Sequence, residues 1–111
     1  MAVKIATAPC SWGVWYADGT PSKTPARLFL DQARQAGYKA LELGPDGYLP
    51  EDREVLKQEL SSRGLEAASG TACYRFDQYE RFADFRPAVE KLCGRVASMG
   101  GRYLVTMDES D

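Results

Sequence analysis

The same arrangement recurs in three places along the chain: a stretch of helical periodicity, a glycine, then a short apolar run. The runs follow Gly37 (Tyr38 to Leu43), Gly64 (Leu65 to Ser69) and Gly100 (Gly101 to Met107). Glycine just past a helix is a C-cap signal, because glycine takes the left-handed conformation without a Cβ clash. A short apolar run behind it reads as a buried parallel strand. Val3 to Ala8 is a further such run at the start. Strands are therefore expected near 3–8, 39–43, 65–69 and 103–107.

The intervening stretches carry helix signals, predicting helices near 24–36, 51–63 and 85–99. Thr24-Pro25 reads as an N-cap followed by a first-turn proline, with Ala26, Phe29, Leu30, Ala33 and Ala36 at helical spacing. Pro50-Glu51-Asp52 opens the second helix with acids where the dipole favours them. Asp84 to Pro87 opens the third, and Phe85, Val89, Leu92, Val96 and Met99 form its apolar face. Alternating strands and helices imply an α/β protein with a parallel sheet and right-handed crossovers. Two architectures fit: an open doubly wound sheet, or a (β/α) barrel of which this is a part. A barrel predicts strand order 1-2-3-4 with all helices on one face. Pro9-Cys10-Ser11-Trp12-Gly13 stands where a dinucleotide-binding fingerprint would follow the first strand, and there is no Walker-type phosphate loop.

Composition narrows the function classes. The 111 residues are 44% hydrophobic and 27% charged, which suits one domain, 1–111. A complete eight-stranded barrel takes roughly 250 residues, so a barrel here is partial: strands one to four, with the C-terminal half absent. Net charge is −2 with both signs interspersed, which argues against nucleic acid or an anionic membrane as partner. No signal-peptide pattern or membrane-length apolar run is present. Cys10, Cys73 and Cys93 have no zinc or redox spacing, so the expectation is a reducing cytoplasm and small, half-buried thiols. Histidine is absent, which removes the commonest general base and metal ligand.

Ligands of α/β folds gather at the C-terminal strand ends. Seven of the twelve aromatic residues fall in those predicted loops: Trp12, Trp15, Tyr16, Tyr48, Tyr74, Phe76 and Tyr79. Such rings either stack on sugar C–H faces or plug the mouth of the fold, and Trp12 is the leading candidate. Glu42 lies between Leu41 and Leu43, so on a strand it faces away from both. With the leucines under the helices, Glu42 points to the opposite layer. A carboxylate there has either a chemical role or an ion-pair partner, such as Lys4 or an arginine. Ser69-Gly70-Thr71 is expected to close strand three, as a ligand-approach point or a plain turn. Asp46-Gly47 reads as a turn. Asp108, Glu109 and Asp111 close strand four, as oxygen ligands or as solvated caps.

Two motifs then carry a resemblance. Ala8-Pro9-Cys10-Ser11-Trp12-Gly13, paired with Leu41-Glu42-Leu43-Gly44-Pro45-Asp46-Gly47-Tyr48-Leu49-Pro50, resembles the inosose dehydratase branch of the xylose-isomerase-like barrels. That superfamily also holds sugar phosphate isomerases, ketose epimerases and apurinic-site endonucleases. The resemblance runs from Lys4 to Asp111 and implies a (β/α)₈ barrel. It implies a lyase or isomerase acting on an inosose, ketose or sugar phosphate. It further implies a divalent metal (Mn, Co or Mg) held by acids and a histidine on strands five to eight. On that resemblance the metal would stabilise an enediolate-like intermediate. On this reading Trp12 matches the strand-one aromatic lining the substrate, and Glu42 the strand-two acid touching its hydroxyls. Asp108 and Glu109 contribute at the strand-four end, where some relatives carry a histidine. This chain alone is expected to be inactive and to bind no catalytic metal.

The competing reading is a non-catalytic half-barrel whose open edges pair with another chain. Strands one and four would be edges, and the inner face, with Ile5, Ala40, Ala68 and Leu104, would lack an opposite wall. A homo-oligomer is the expected consequence. A small nucleotide-binding domain is the least supported reading, since no glycine-rich phosphate loop is present.

Overall fold

A computed structural model describes residues 3–109. The strands are β1 (Ala6–Thr7), β2 (Ala40–Glu42), β3 (Glu66–Tyr74) and β4 (Tyr103–Asp108). The helices are α1 (Ala26–Gln35), α2 (Arg53–Ser61) and α3 (Phe82–Ser98). All strand pairs are parallel, in the order β1-β2-β3-β4. Phe29, Leu30 and Ala33 of α1, Leu56 and Leu60 of α2 and Val96 of α3 share one core cluster with Leu41, Leu43, Leu65 and Ala67. One cluster joining all three helices to the sheet places them on a single face, the layering of a (β/α) barrel rather than a doubly wound sheet.

Helix starts shift from the expected positions for local reasons. α1 begins at Ala26, with Pro25 in the cap position, and the Thr24 hydroxyl turns instead to Ser22 and the Trp12 carbonyl. At α2 the Asp52 side chain accepts from the Val55 N–H at 3.0 Å, a conventional N-cap. α3 starts three residues before Phe85, because the Tyr79–Arg81 turn leads directly into it and Phe82 meets Phe85 edge-on. Pro87 sits inside its second turn. Gly37, Gly64 and Gly100 all take positive φ beyond their helices, as their C-cap role requires.

The largest departure lies in β3. The strand was expected to end at Ser69, yet it continues to Tyr74. Leu41 pairs with Ala67 while the next residue, Glu42, pairs with Ser69, so Ala68 is an extra residue, a β-bulge. The bulge reverses which residues face the helices. Leu65 and Ala67 face them before it. Gly70, against Leu92 and Val96, and Tyr74, stacked on Phe85, face them after it. Ser69, Thr71 and Cys73 consequently take the open face, opposite the helices.

β4 follows that phase. Leu104 pairs with Gly70 and thus lies on the helix side, not on the inner face as expected. Tyr103, Val105 and Met107 pair with Ser69, Thr71 and Cys73 and occupy the open face, where they are 70%, 39% and 43% exposed. Ile5 is exposed, and Ala40 is buried. No helix among the described residues is long and apolar enough to cross a membrane.

Candidate functional site

Glu42 ends β2 with buried Leu41 and Leu43 on either side, so its side chain projects onto the open face. The alternative of an ion pair with Lys4 does not hold, because Lys4 binds Glu66 at 2.8 Å. Glu42 instead accepts a hydrogen bond at Oε1 from the Thr71 hydroxyl, two residues beyond its β3 pairing partner Ser69. The β3 bulge makes this contact possible, since without it Thr71 would face the helices.

Cys73 follows on the same face of β3, within reach of two carboxylate charges. Desolvation first, then the charges of Glu109 and Glu42, push its thiol above the ordinary range. Cys73 is therefore a protonated thiol at neutral pH and a poor nucleophile. All three cysteines are free and exposed, so the expectation of half-buried thiols is corrected. Glu109 follows β4, anchored by its N–H to the Tyr74 carbonyl at 3.0 Å. Glu42, Thr71, Cys73 and Glu109 thus form one polar group at the C-terminal strand ends.

Asp108 has a different setting. It pairs with Tyr74 and so belongs to the helix side. Its carboxylate accepts from the Phe76 N–H at 3.2 Å, and its charge adds a smaller contribution to the rise in the Arg75 pKa that the Asp77 hydrogen bond chiefly causes. Arg75 also holds Asp77 through two bonds of 3.1 and 3.0 Å. Asp108 therefore ties down the β3–α3 connection. Asp111 lies outside the described residues.

The aromatic residues divide. Trp12 packs edge-on against Phe29 with ring centroids 5.0 Å apart, and its indole N–H donates to Gln32 at 2.7 Å. Both partners belong to α1, so Trp12 lies against the helix layer, away from Glu42. Tyr48 is buried beside Phe29 and donates to the Thr24 carbonyl at 2.8 Å, and that burial raises its pKa. Tyr74 and Phe76 join Phe82 and Phe85 at the start of α3, and Tyr79 faces solvent. Trp15 and Tyr16 instead line a cavity of about 580 Å³ at the strand ends, together with Thr71, Cys73, the acids Asp46, Asp108 and Glu109, and Lys91, Leu92 and Arg95 of α3. Only the Thr71 end of the Glu42–Thr71 pair contributes to its wall. The sequence carried a signal for this pair of rings, since they belong to the aromatic group after strand one, but nothing in it separated them from Trp12.

Among the described residues no three His, Cys, Asp or Glu side chains come together in a way that could hold a metal ion. The site's chemistry on this chain is that of a carboxylate–hydroxyl pair, a second carboxylate and an aromatic wall. Such a set binds hydroxyls and moves protons.

No family model matches the chain. It is 34% identical over 110 residues to the rhizopine catabolism protein MocC of Rhizobium meliloti, a match covering 99% of this chain and 33% of that protein. Its fold resembles the crystal structure of an AP endonuclease, family 2, from Brucella melitensis, with a TM-score of 0.57 and 17% sequence identity. That likeness covers 96% of this chain and 41% of the other. The chain thus spans about a third of the curated relative and well under half of the solved structure. At the level of fold the result is plain: four parallel strands and three helices forming part of a (β/α) barrel.

Proposed function

We propose that this chain supplies strands one to four of a barrel enzyme of the inosose dehydratase type, a lyase or isomerase acting on a small polyhydroxylated ketone. The observation that carries the reading is Glu42, held on the open face at the strand ends with one carboxylate oxygen engaged by Thr71. Its other oxygen has no protein partner among the described residues and is available to a substrate hydroxyl or to an acidic C–H beside a carbonyl. The Thr71 bond orients the carboxylate. Glu109, across Cys73, adds a second acceptor for substrate hydroxyls. The 34%-identical relative is a rhizopine catabolism protein, which supports a catabolic role, and both likenesses support the xylose-isomerase-like superfamily. Trp12 supports the site from behind, through Phe29 and α1. The role we assign to this chain's own residues is substrate contact and proton movement, through Glu42, Thr71 and Glu109.

The test has two readouts. Nuclear magnetic resonance titration of the chain with scyllo-inosose or D-fructose should move the amide signals of Glu42, Thr71, Cys73 and Glu109, and Glu42→Gln should weaken that response. In a complete barrel, Glu42→Gln should slow solvent-deuterium exchange beside the substrate carbonyl by about 10²- to 10⁴-fold, the usual contribution of a positioned general base. Shifts confined to the opposite strand ends, or an unchanged exchange rate, overturn the reading.

One observation favours a second reading, a half-barrel that pairs with a second copy. Tyr103, Val105 and Met107 form an exposed stripe on β4, an edge strand. Exposed edges of this kind are templates for association.

A further inference from the structure

Ser69 and its two ladder partners form a rung across the open face. Glu42 of β2 and Tyr103 of β4 both pair with Ser69 of β3, so all three side chains project to the same side. Neighbouring strands lie about 4.8 Å apart, which sets the backbones of Glu42 and Tyr103 roughly 10 Å apart across the strand between them. That interval suits a six-membered ring seated above a small residue. Tyr103 is 70% exposed, so its ring can form one wall. Glu42 forms the other, with one carboxylate oxygen held by Thr71. One rung lower, Ala40 adds no bulk, and Lys4 neutralises its ladder partner Glu66.

Ser69 at the centre of the rung is 8% exposed, yet its hydroxyl has no hydrogen-bond partner among the described residues. Buried hydroxyls ordinarily have one, because burial removes the water that would otherwise serve. Among the described residues no side-chain oxygen is sealed from the surface without a partner, so the Ser69 hydroxyl keeps an opening onto the open face. The other buried polar side chain, Thr7, also makes no hydrogen bond, but it pairs with Leu41 and lies on the helix side, away from Glu42. A hydroxyl that the fold leaves unbonded costs stability. One that opens beside a carboxylate is placed to recover that cost from a ligand.

We infer that the Glu42–Ser69–Tyr103 rung is a ring-binding subsite. A cyclic polyol lies over Ser69 with a C–H face against the Tyr103 ring, whose negative face attracts polarised C–H groups. One ligand hydroxyl accepts from the Ser69 hydroxyl and donates to the Glu42 oxygen that Thr71 leaves unbonded. The inference rests on the carbohydrate reading above. It adds to that reading two contact residues, Ser69 and Tyr103, and the requirement for a hydroxyl on the part of the ring nearest Glu42. A site built to bond a hydroxyl rejects a ligand that lacks it, because its own polar groups are then left unpaired.

The experiment is nuclear magnetic resonance titration of the chain with scyllo-inosose, and with cyclohexanone as a ring ketone without hydroxyls, alongside thermal denaturation. Scyllo-inosose should move the amide signals of Glu42, Ser69 and Tyr103 together, equally at low and high chain concentration. Ser69→Ala should leave the melting temperature unchanged or raise it, since it removes an unbonded hydroxyl, and should weaken scyllo-inosose binding about threefold to tenfold. In a Glu42→Gln background the same substitution should cost under about twofold, because both residues hold one ligand hydroxyl. It should not alter the response to cyclohexanone. Tyr103→Ala changes an exposed side chain and should weaken scyllo-inosose binding as well. A lower melting temperature in Ser69→Ala means that the hydroxyl serves the fold and overturns the inference. So does unchanged affinity in either single variant, or a response that depends on chain concentration and therefore reports self-association through β4. Shifts confined to Thr71, Cys73 and Glu109 overturn the rung and leave the carbohydrate reading standing. Failure of the folded wild-type chain to respond to scyllo-inosose overturns both.

Discussion

Gly44 lies two residues beyond Glu42, and the reasoning about the site stands or falls on how tightly that corner is built. Its φ is +74°, and a Cβ placed there would sit 2.5 Å from Cγ of buried Pro9, with Cδ and Cβ of the same ring at 3.1 and 3.2 Å. Gly44→Ala therefore carries two costs. The left-handed conformation costs about 1–2 kcal/mol for a residue with a Cβ. Overpacking against a rigid proline ring adds about 1–3 kcal/mol, for a total of about 2–5 kcal/mol. Gly64 separates the two terms: its φ is +66°, similar to that of Gly44, but its Cβ would meet nothing within 4 Å. Gly64→Ala should cost only the conformational part, about 1–2 kcal/mol. Urea unfolding followed by tryptophan fluorescence measures both, since Trp12 lies against Phe29 and reports on the same corner. Pro9→Ala in the Gly44→Ala background removes the two nearest clashing atoms, so the double-mutant cycle should show a coupling of about 1 kcal/mol or more. Equal losses at the two glycines, or additivity within about 0.5 kcal/mol, would refute the claim that Pro9 and Gly44 set the β1–α1 loop against the end of β2.

Four further outcomes follow from particular contacts. Glu42→Gln keeps an acceptor for Thr71, so thermal denaturation should shift by under about 0.5 kcal/mol equivalent, and a large loss would mean that Glu42 serves the fold. Arg63 and Arg27 hold the Glu59 carboxyl below its ordinary range. Its folded pKa is depressed, so this stabilisation is present above the ordinary glutamate pKa and lost as pH falls through the lower folded value. Melting temperatures from pH 7 to pH 3 should fall less steeply in Arg63→Met, and parallel curves would refute the assignment. Sedimentation at micromolar concentration should show self-association that Val105→Lys with Met107→Lys abolishes, whereas a cooperatively folding wild-type monomer contradicts the open-edge reading. Calorimetric titration with manganese or cobalt should show no stoichiometric micromolar site, and one that appears would mean that the catalytic centre has been misplaced.

Strand order and layering were legible because they depend on signals that repeat. Each helix ends before a glycine at positive φ, and each strand core is a short apolar run, so local chemistry and tertiary packing agree. Boundaries were less legible where a neighbour decides them. β1 pairs through only two residues, since its sole partner in the sheet is the three-residue β2. α3 starts early because aromatic contacts among Phe82, Phe85, Phe76 and Tyr74 extend it past the acidic N-terminal signal. Glu42 was readable as pointing away from the helices because alternation between two leucines fixes a face. Trp12 and Trp15 were not separable by the same means, since a loop has no period.

The bulge at Ala68 explains both the length of β3 and the site. Read with a period of two, the run after Gly64 loses its phase at Ser69-Gly70, which resembles a strand end. In the folded chain one extra residue restores the pairing and carries the strand on to Tyr74 with its faces exchanged. That exchange places small Gly70 under Leu92 and Val96, where a side chain would collide at 2.7 and 2.8 Å, and it turns Thr71 and Cys73 toward Glu42. The same residue pair that looks like a terminator is thus what lets α3 sit close to the sheet. Deleting Ala68 tests this directly. With the extra residue gone, Ala67 would run straight on to Ser69, so Ser69 would still pair with Glu42, Gly70 would stay beneath Leu92 and Val96, and Thr71 would stay beside Glu42. The strand would be regular and would keep its present faces beyond the deletion. The expected result is a folded chain in which the Thr71 and Glu42 amide signals still respond together to scyllo-inosose. A deletion variant that folds but loses that joint response would show that the faces of β3 are set by something other than the bulge.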